Sequence, residues 1–459
     1  MALGRRDAER QEQLWIESGR IVRGPGSPFY ARLNAVFASS GFDRWAEDRC
    51  ASFYAAEGRP SVPPGVYFRM LMVGYFEGID SERGIAWRCA DSLSLREFLG
   101  YDLTRRTPDH STLSVVRSRI DVETHQEVFC WILSRLAEHG LLKGKTIGVD
   151  ATTLEANAAM RSLLRRDTGE GYQEFLERLA AESGIETPTR ADLAKLDRKR
   201  KKKASNDDWK SPDDPDARIT KMKDGRTHLA HKAEHAVDME TGATVAVTVQ
   251  PADRGDTSSL GQTLCEAMEN LEEVNEKGGD AERRYEMQEV VTDKGYHSND
   301  VMRDLAEAGL RSYASEPGRG RRRWKDKQEE RDAVQANRRR ITGAHGKRLL
   351  RRRGEMLERP FAHCYETGAL RRIHLRGHEN IRKRLLIHVG ASNVGLLMRA
   401  LVGAGTPRGL HALAGTLRAL LQTLAARLAV LIGRQVPQLL RGAVPGEHPS
   451  TLIHTPIAA

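Results

Sequence analysis

The sequence predicts an α/β protein, a mixed sheet flanked by helices and preceded by a mainly α-helical N-terminal region. Three observations carry this. Residues 1–145 hold helix-start signals, among them Pro63-Pro64 followed by the run Val66–Phe76. From residue 146 the periodicity changes, with short β-branched runs at Thr146–Ala151 and Glu289–Asp293 and a clean alternation at Thr244–Val249. Helix-start signals follow the later two runs, at Asp256-Thr257 after Val249 and at Ser298 after Asp293.

At 459 residues the chain is roughly three times the usual ~150-residue domain, so two or three modules are expected. A hydrophobic content of 39% is ample for a core and excludes wholesale disorder. The formal charge of +10 favours a polyanionic partner, most often nucleic acid. Cys50, Cys89, Cys130, Cys265 and Cys364 lie far apart and form no C-x-x-C pair, which argues against a disulfide framework or a zinc site and for a reducing cytoplasm. The N-terminal Met-Ala-Leu-Gly-Arg-Arg-Asp leads into a charged stretch with no apolar signal region. Residues 412–432 are the most apolar, but they contain Arg418, Gln422 and Arg427. There Leu413, Leu417, Leu420, Leu424, Leu428 and Leu431 draw one helix stripe, the mark of a packing helix rather than a membrane span.

Taken in order, Pro63-Pro64 starts a helix, Ser94 and Glu97 have capping-box spacing, and Asp109 caps a helix containing Leu113 and Val116. The first strand, Thr146–Ala151, ends in an acid at Asp150. His228–Asp238 and Thr244–Val249 form a hairpin through Glu240-Thr241-Gly242. Asp256 opens a helix to about Val274, a strand ends at Asp293, Ser298 caps another helix, and Leu310–Ser315 reads as a further strand. This divides the chain into a helical domain at 1–145, an α/β domain at 146–433 and a flexible tail at 434–459.

Between the first strand and the hairpin, residues 155–225 read as a charged insertion. Residues 160–195 are helical in pattern. The basic run Arg198–Lys203 and the acids Asp207, Asp208, Asp213, Asp214 and Asp216 then predict a solvated, mobile segment. The basic run is equally readable as a plain solvated loop or as a phosphate-contacting arm. A second basic concentration, residues 318–359, holds 16 Lys and Arg against six Asp and Glu, an excess equal to that of the whole chain. Charge this localised marks a nucleic-acid surface better than the overall balance does. Trp324 within it is expected to pack.

A strand-end acid is a natural ligand position in a mixed sheet. Taken singly, Asp150 or Asp293 is more simply a turn or cap residue, and Glu355 and Glu358 have surface ion pairing as an alternative. Their surroundings, however, resemble the insertion-sequence transposases of the DDE class. The matching pieces are Gly148-Val149-Asp150-Ala151-Thr152, Asp293-Lys294-Gly295-Tyr296, and Glu358 with Phe361 three residues on. His235–Gly242, Ala252–Thr257, Pro108–Leu113 with Arg117, and Gly377, Asn380, Lys383-Arg384 and Asn393 are similar to further parts of that family. Related enzymes often place Tyr and Arg before the third acid and Lys seven residues after it. Here position 354 is Gly, residues 351–353 are arginines and position 365 is Tyr, so Glu355 stays open as the third acid.

The resemblance implies a ribonuclease-H-like catalytic domain behind an N-terminal helical DNA-binding or assembly domain. It also implies Asp150, Asp293 and Glu358 as catalytic and metal-binding acids. Hard Mg²⁺ takes such oxygen donors, and two ions (with Mn²⁺ as an alternative) neutralise the clustered carboxylates during in-line displacement. The expected partners are double-stranded DNA, as element ends and as target, and a second copy in a homodimer. No membrane is expected, and the location is the bacterial cytoplasm at the nucleoid. DNA contacts are expected from Arg321, Arg322, Arg323, Arg351, Arg352, Arg353 and Lys294. The activity implied is cleavage at the ends of a mobile element and joining of the 3′-hydroxyls to target DNA. A nuclease of the same fold that cuts without joining, and a catalytically inactive DNA-binding relative, are the alternatives.

Overall fold

The computed structural model describes residues 26–439 apart from 56, 59–60, 201–203, 223–224, 278–283, 319 and 321–322. The described residues fall into two compact units that divide between Pro407 and Arg408.

Seven helices come first: α1 (Pro28–Ser39), α2 (Phe42–Cys50), α3 (Pro64–Glu77), α4 (Glu82–Asp91), α5 (Leu93–Phe98), α6 (His110–Arg119) and α7 (Val122–Glu138). Side chains of Ser27, Ser81, Ser92, Asp109 and Asp121 cap five of them by accepting backbone N–H groups. Ser92 caps α5 through Leu95 N, so the helix opens before Ser94 and the Ser94–Glu97 box expected from spacing is not the start signal. Aromatic rings fill the space between the helices, with centroids 5.0 Å apart for Phe29–Phe76, 4.8 Å for Phe37–Phe42 and 5.0 Å for Phe42–Trp131.

The main sheet contains β1 (Thr146–Glu155), β4 (Arg218–Lys221), β5 (Thr227–Asp238), β6 (Thr244–Pro251), β7 (Glu289–Thr292) and β8 (Arg311–Ala314). Its order is β4-β5-β1-β7-β8, with β6 also paired to β5. β1, β5 and β6 run antiparallel, while β7 and β8 run parallel to β1. One face carries α10 (Asp256–Lys277), which packs on β5 and β6. On another surface α13 (Ala344–Phe361) crosses β1, β7 and β8, placing Met356 and Leu357 against Val237, Met239 and Val291. α11 (Asn299–Glu307) and α12 (Gln328–Thr342) flank β8.

α14 (His378–Val402) binds the helical region to the sheet. Its buried Arg384 donates to the carbonyls of Leu71 and Ile79, on and just after α3, and Asn393 exchanges two hydrogen bonds with the Thr244 backbone of β6. Among the described residues one helical run, 378–424, is long and apolar enough to cross a membrane, yet 67% of its most apolar window is buried inside the protein.

The segment expected as a mobile insertion is folded. It contains β2 (Leu164–Arg165) paired with β3 (Trp209–Lys210), together with α8 (Tyr172–Glu182) and α9 (Arg190–Lys199). Leu163, Phe175, Leu176, Leu193, Trp209 and Leu229 form a small separate core. A few large apolar residues, spaced between the charge blocks, suffice because they converge on Trp209. In the second unit, α15 (Pro407–Leu439) exposes Leu413, Leu417, Leu420, Leu421 and Leu424, so this part of the stripe expected to pack is exposed, while Leu428 and Leu431 lie outside the described side chains. Residues 434–439 continue that helix, and the remainder of the tail lies outside the described residues.

Candidate active site

β1 does not stop at Asp150. Antiparallel pairing to β5 carries it on to Glu155, whereas its parallel pairing to β7 ends at Gly148–Val291. Asp150 therefore stands just beyond the point where the two parallel strands part. Asp293 follows the last residue of β7 and caps a short 3₁₀ turn, Lys294–Tyr296, by accepting Gly295 N at 2.7 Å. Both carboxylates are half-buried.

Burial raises the Asp150 carboxyl above its ordinary range, and repulsion from Asp293 and Asp256 adds to this; the Ala151 N–H and the Arg353 guanidinium pull it the other way. The two strand aspartates thus share one electrostatic neighbourhood, with Asp256, the first residue of α10, as a third carboxylate. Gly295 shows how tightly the turn fits, because a Cβ there would lie 2.7 Å from Asp256 Oδ2 and 3.0 Å from Asp293 Oδ1.

α13 reaches the site through Arg353, which donates to Asp150 Oδ2 at 3.2 Å. One turn on, Leu357 lies over Gly148, and one turn further Phe361 stacks on His235, the cross-strand partner of Asp150. Successive helix residues rotate by about 100°. Met356 lies on the flank toward the hairpin end of the sheet, beside Gly242, and Arg352 donates to Glu240 O at that same end. By that rotation Glu358 falls on the other flank of α13 from Met356, and it is exposed. Glu355 points nearly away from Leu357 and pairs with Arg359 at 2.6 Å.

Of the residues expected to contact DNA, Arg323, Lys294, Arg351 and Arg352 are exposed, whereas Arg353 is half-buried on Asp150. Arg321 and Arg322 lie outside the described residues. Among the described residues no three His, Cys, Asp or Glu side chains are grouped closely enough to hold a metal ion. The donor chemistry nonetheless fits a hard divalent cation, since Asp150 and Asp293 are half-buried carboxylates whose mutual repulsion a cation relieves. The positive charge now facing Asp150 is Arg353.

Sequence reasoning missed the support beneath this site. Lys232 and Glu234 on β5 are both buried, and Lys232 Nζ lies 2.6 Å from Asp256 Oδ1 and 2.9 Å from Ser259 Oγ. The one available signal was a pair of charges, two apart, inside a strand otherwise made mostly of Ala and His.

The strand order, antiparallel for three strands and parallel for the next two, together with the helices on the sheet, defines the ribonuclease-H-like class of α/β protein. Family models match the chain twice, a transposase domain (DUF772) at residues 22–119 and a transposase DDE domain at residues 170–394. The chain is a DDE-class insertion-sequence transposase. The DDE match includes Asp293 and Glu358, while Asp150 precedes it. No curated protein and no solved structure matches the chain.

Proposed function

We propose that the protein cuts DNA at the ends of a mobile element and joins the freed 3′-hydroxyls to target DNA, with Asp150, Asp293 and Glu358 as the reacting carboxylates. The observation that carries this reading is the meeting of Asp150 and Asp293, distant in sequence, where β1 and β7 part. Two Mg²⁺ ions, or Mn²⁺, would be held by these three acids and would supply activation of the attacking oxygen and charge stabilisation at the leaving oxygen. Arg353 occupies Asp150 until a metal or phosphate competes for it. Phe361 on His235 and Leu357 on Gly148 fix the rotation of α13, and with it the flank that presents Glu358. Exposed Arg323, Arg351, Arg352 and Lys294, with Arg321 and Arg322, hold the DNA backbone, and residues 1–145 bind the element's ends or assist assembly. The domain limits follow the same division, with catalysis in the α/β domain that begins at residue 146 and α15 in a separate C-terminal unit.

The active form is proposed to be a homodimer in the bacterial cytoplasm. The exposed leucine stripe of α15, stepping by four, three and four from Leu413 to Leu424, suits a helix pair between two copies.

The test is a cleavage and strand-transfer assay on labelled element ends. Asp150→Asn, Asp293→Asn and Glu358→Gln should each lose both steps while retaining DNA binding and fold, and Glu355→Gln should keep substantial activity. An inactive Glu355→Gln beside an active Glu358→Gln would move the third acid to Glu355. Cut but never joined ends would reduce the activity to that of a nuclease.

A further inference from the structure

The turn carrying Asp293 is short and exposed at Lys294 and Gly295, yet its last residue, Tyr296, is buried. The Tyr296 hydroxyl donates to Glu234 Oε1 at 2.8 Å. Glu234 is fully buried on β5, where it pairs with Ala151, the residue after Asp150. Its carboxylate also accepts from Ser259 Oγ at 2.7 Å and from Thr263 Oγ1, both on α10, the helix that begins with Asp256. Lys232 Nζ stands 3.5 Å away and ties Asp256 to the same group. Burial, with Glu234 and Asp256 close by, pushes the Tyr296 phenol far up, so it stays a neutral donor.

One buried carboxylate therefore holds three things in register: the strand beside Asp150, the first turns of α10, and the turn beneath Asp293. We propose that Glu234 and Tyr296 are positioning residues, their hydrogen bond fixing the Asp293 carboxylate relative to Asp150. This rests on the reading of those two aspartates as the reacting acids. Groups that orient metal-binding side chains typically change metal affinity or activity by about 10–100-fold when removed. A hydrogen bond that served the fold alone would change stability and leave ion binding untouched.

The structure contains a matched control. Tyr313 donates to another buried carboxylate, Glu289 Oε1, at 3.2 Å, at the opposite end of β7. Tyr313→Phe removes the same chemistry without touching the Asp293 turn. Mn²⁺ binding to the full chain, followed by the electron paramagnetic resonance signal of the free ion, should weaken about tenfold or more in Tyr296→Phe. It should stay within about twofold of the parent in Tyr313→Phe, although both lose comparable urea resistance. Glu234→Gln keeps the volume, reads the same link from its other side, and should weaken binding in the same direction. Parent-like Mn²⁺ affinity in both Tyr296→Phe and Glu234→Gln, or an equal loss in Tyr313→Phe, would overturn the positioning role. Asp150→Asn and Asp293→Asn separate the two levels. If they abolish Mn²⁺ binding and Tyr296→Phe does not, the positioning role alone fails; if they leave binding intact, the reading of the site fails with it.

Discussion

Adding a single methyl group at residue 295 tests the packing of the candidate site more sharply than removing any acid. In Gly295→Ala the new Cβ would sit 2.7 Å from Asp256 Oδ2 and 3.0 Å from Asp293 Oδ1, where ordinary contact begins near 3.4 Å. Relief requires Asp256 to withdraw by about 0.7 Å and Asp293 by about 0.4 Å, if each moves alone. Neither is free to do so. Asp256 is held by Lys232 at 2.6 Å, and Asp293 is bonded to the Gly295 N–H at 2.7 Å. Overpacking of this kind costs about 1–3 kcal/mol. The larger effect falls on rate, because displacement of reacting groups by about 1 Å costs on the order of 10²-fold. Half that displacement should slow single-turnover cleavage of a labelled element end by roughly tenfold or more. The assay pairs that rate with urea unfolding of the same variant. A parent-like rate with an unchanged unfolding midpoint would refute the claim that this turn, Asp256 and Asp293 are mutually wedged.

Glu266 is buried against Arg382, and burial lifts its carboxyl to about 7 despite that ion pair. The folded value lies above the unfolded one, so the native chain holds a proton that the unfolded chain has released. Stability should fall as pH rises from about 4.5 to about 7, and Glu266→Gln should flatten that slope in urea midpoints across the window. Trp209→Ala, in the small core with Phe175 and Leu193, should cost about 3–5 kcal/mol locally and open residues 156–217 to proteolysis while the main sheet stays folded. Uniform resistance would mean that this core is not separate. Neutralising Arg321, Arg322 and Arg323 together should lower DNA affinity and reduce the slope of log K against log salt by roughly 0.9 for each phosphate that the variant no longer neutralises. An unchanged slope would make that stretch a bystander.

The parts of the fold governed by local rules were legible in the sequence. Alternation at Thr244–Val249 and the glycine at 242 marked the β5–β6 hairpin, and Asp109 and Ser298 marked helix starts. What depended on distant partners was not. β1 runs past Asp150 because β5 offers it partners as far as Ala230, a length that no property of residues 146–155 encodes. The folded insertion was hidden because its charge blocks outweigh its few apolar residues in any window, although Trp209 gathers them in space. At the site, residue type and order singled out Asp150 and Asp293. Arg353 on Asp150 and the burial of Lys232 and Glu234 were invisible, since alternation alone assigns a charged strand residue to solvent.

The tie made by α14 bears on how the molecule is synthesised. Arg384 donates to the carbonyls of Leu71 and Ile79, and Lys383 to that of Arg117, so part of what holds the first seven helices comes from α14. Those hydrogen bonds join residues 266 to 313 positions apart, so the N-terminal helices leave the ribosome long before the helix that binds them. A chain stopped short of residue 378 would therefore lack these hydrogen bonds and the packing of α14 against α3 and α7.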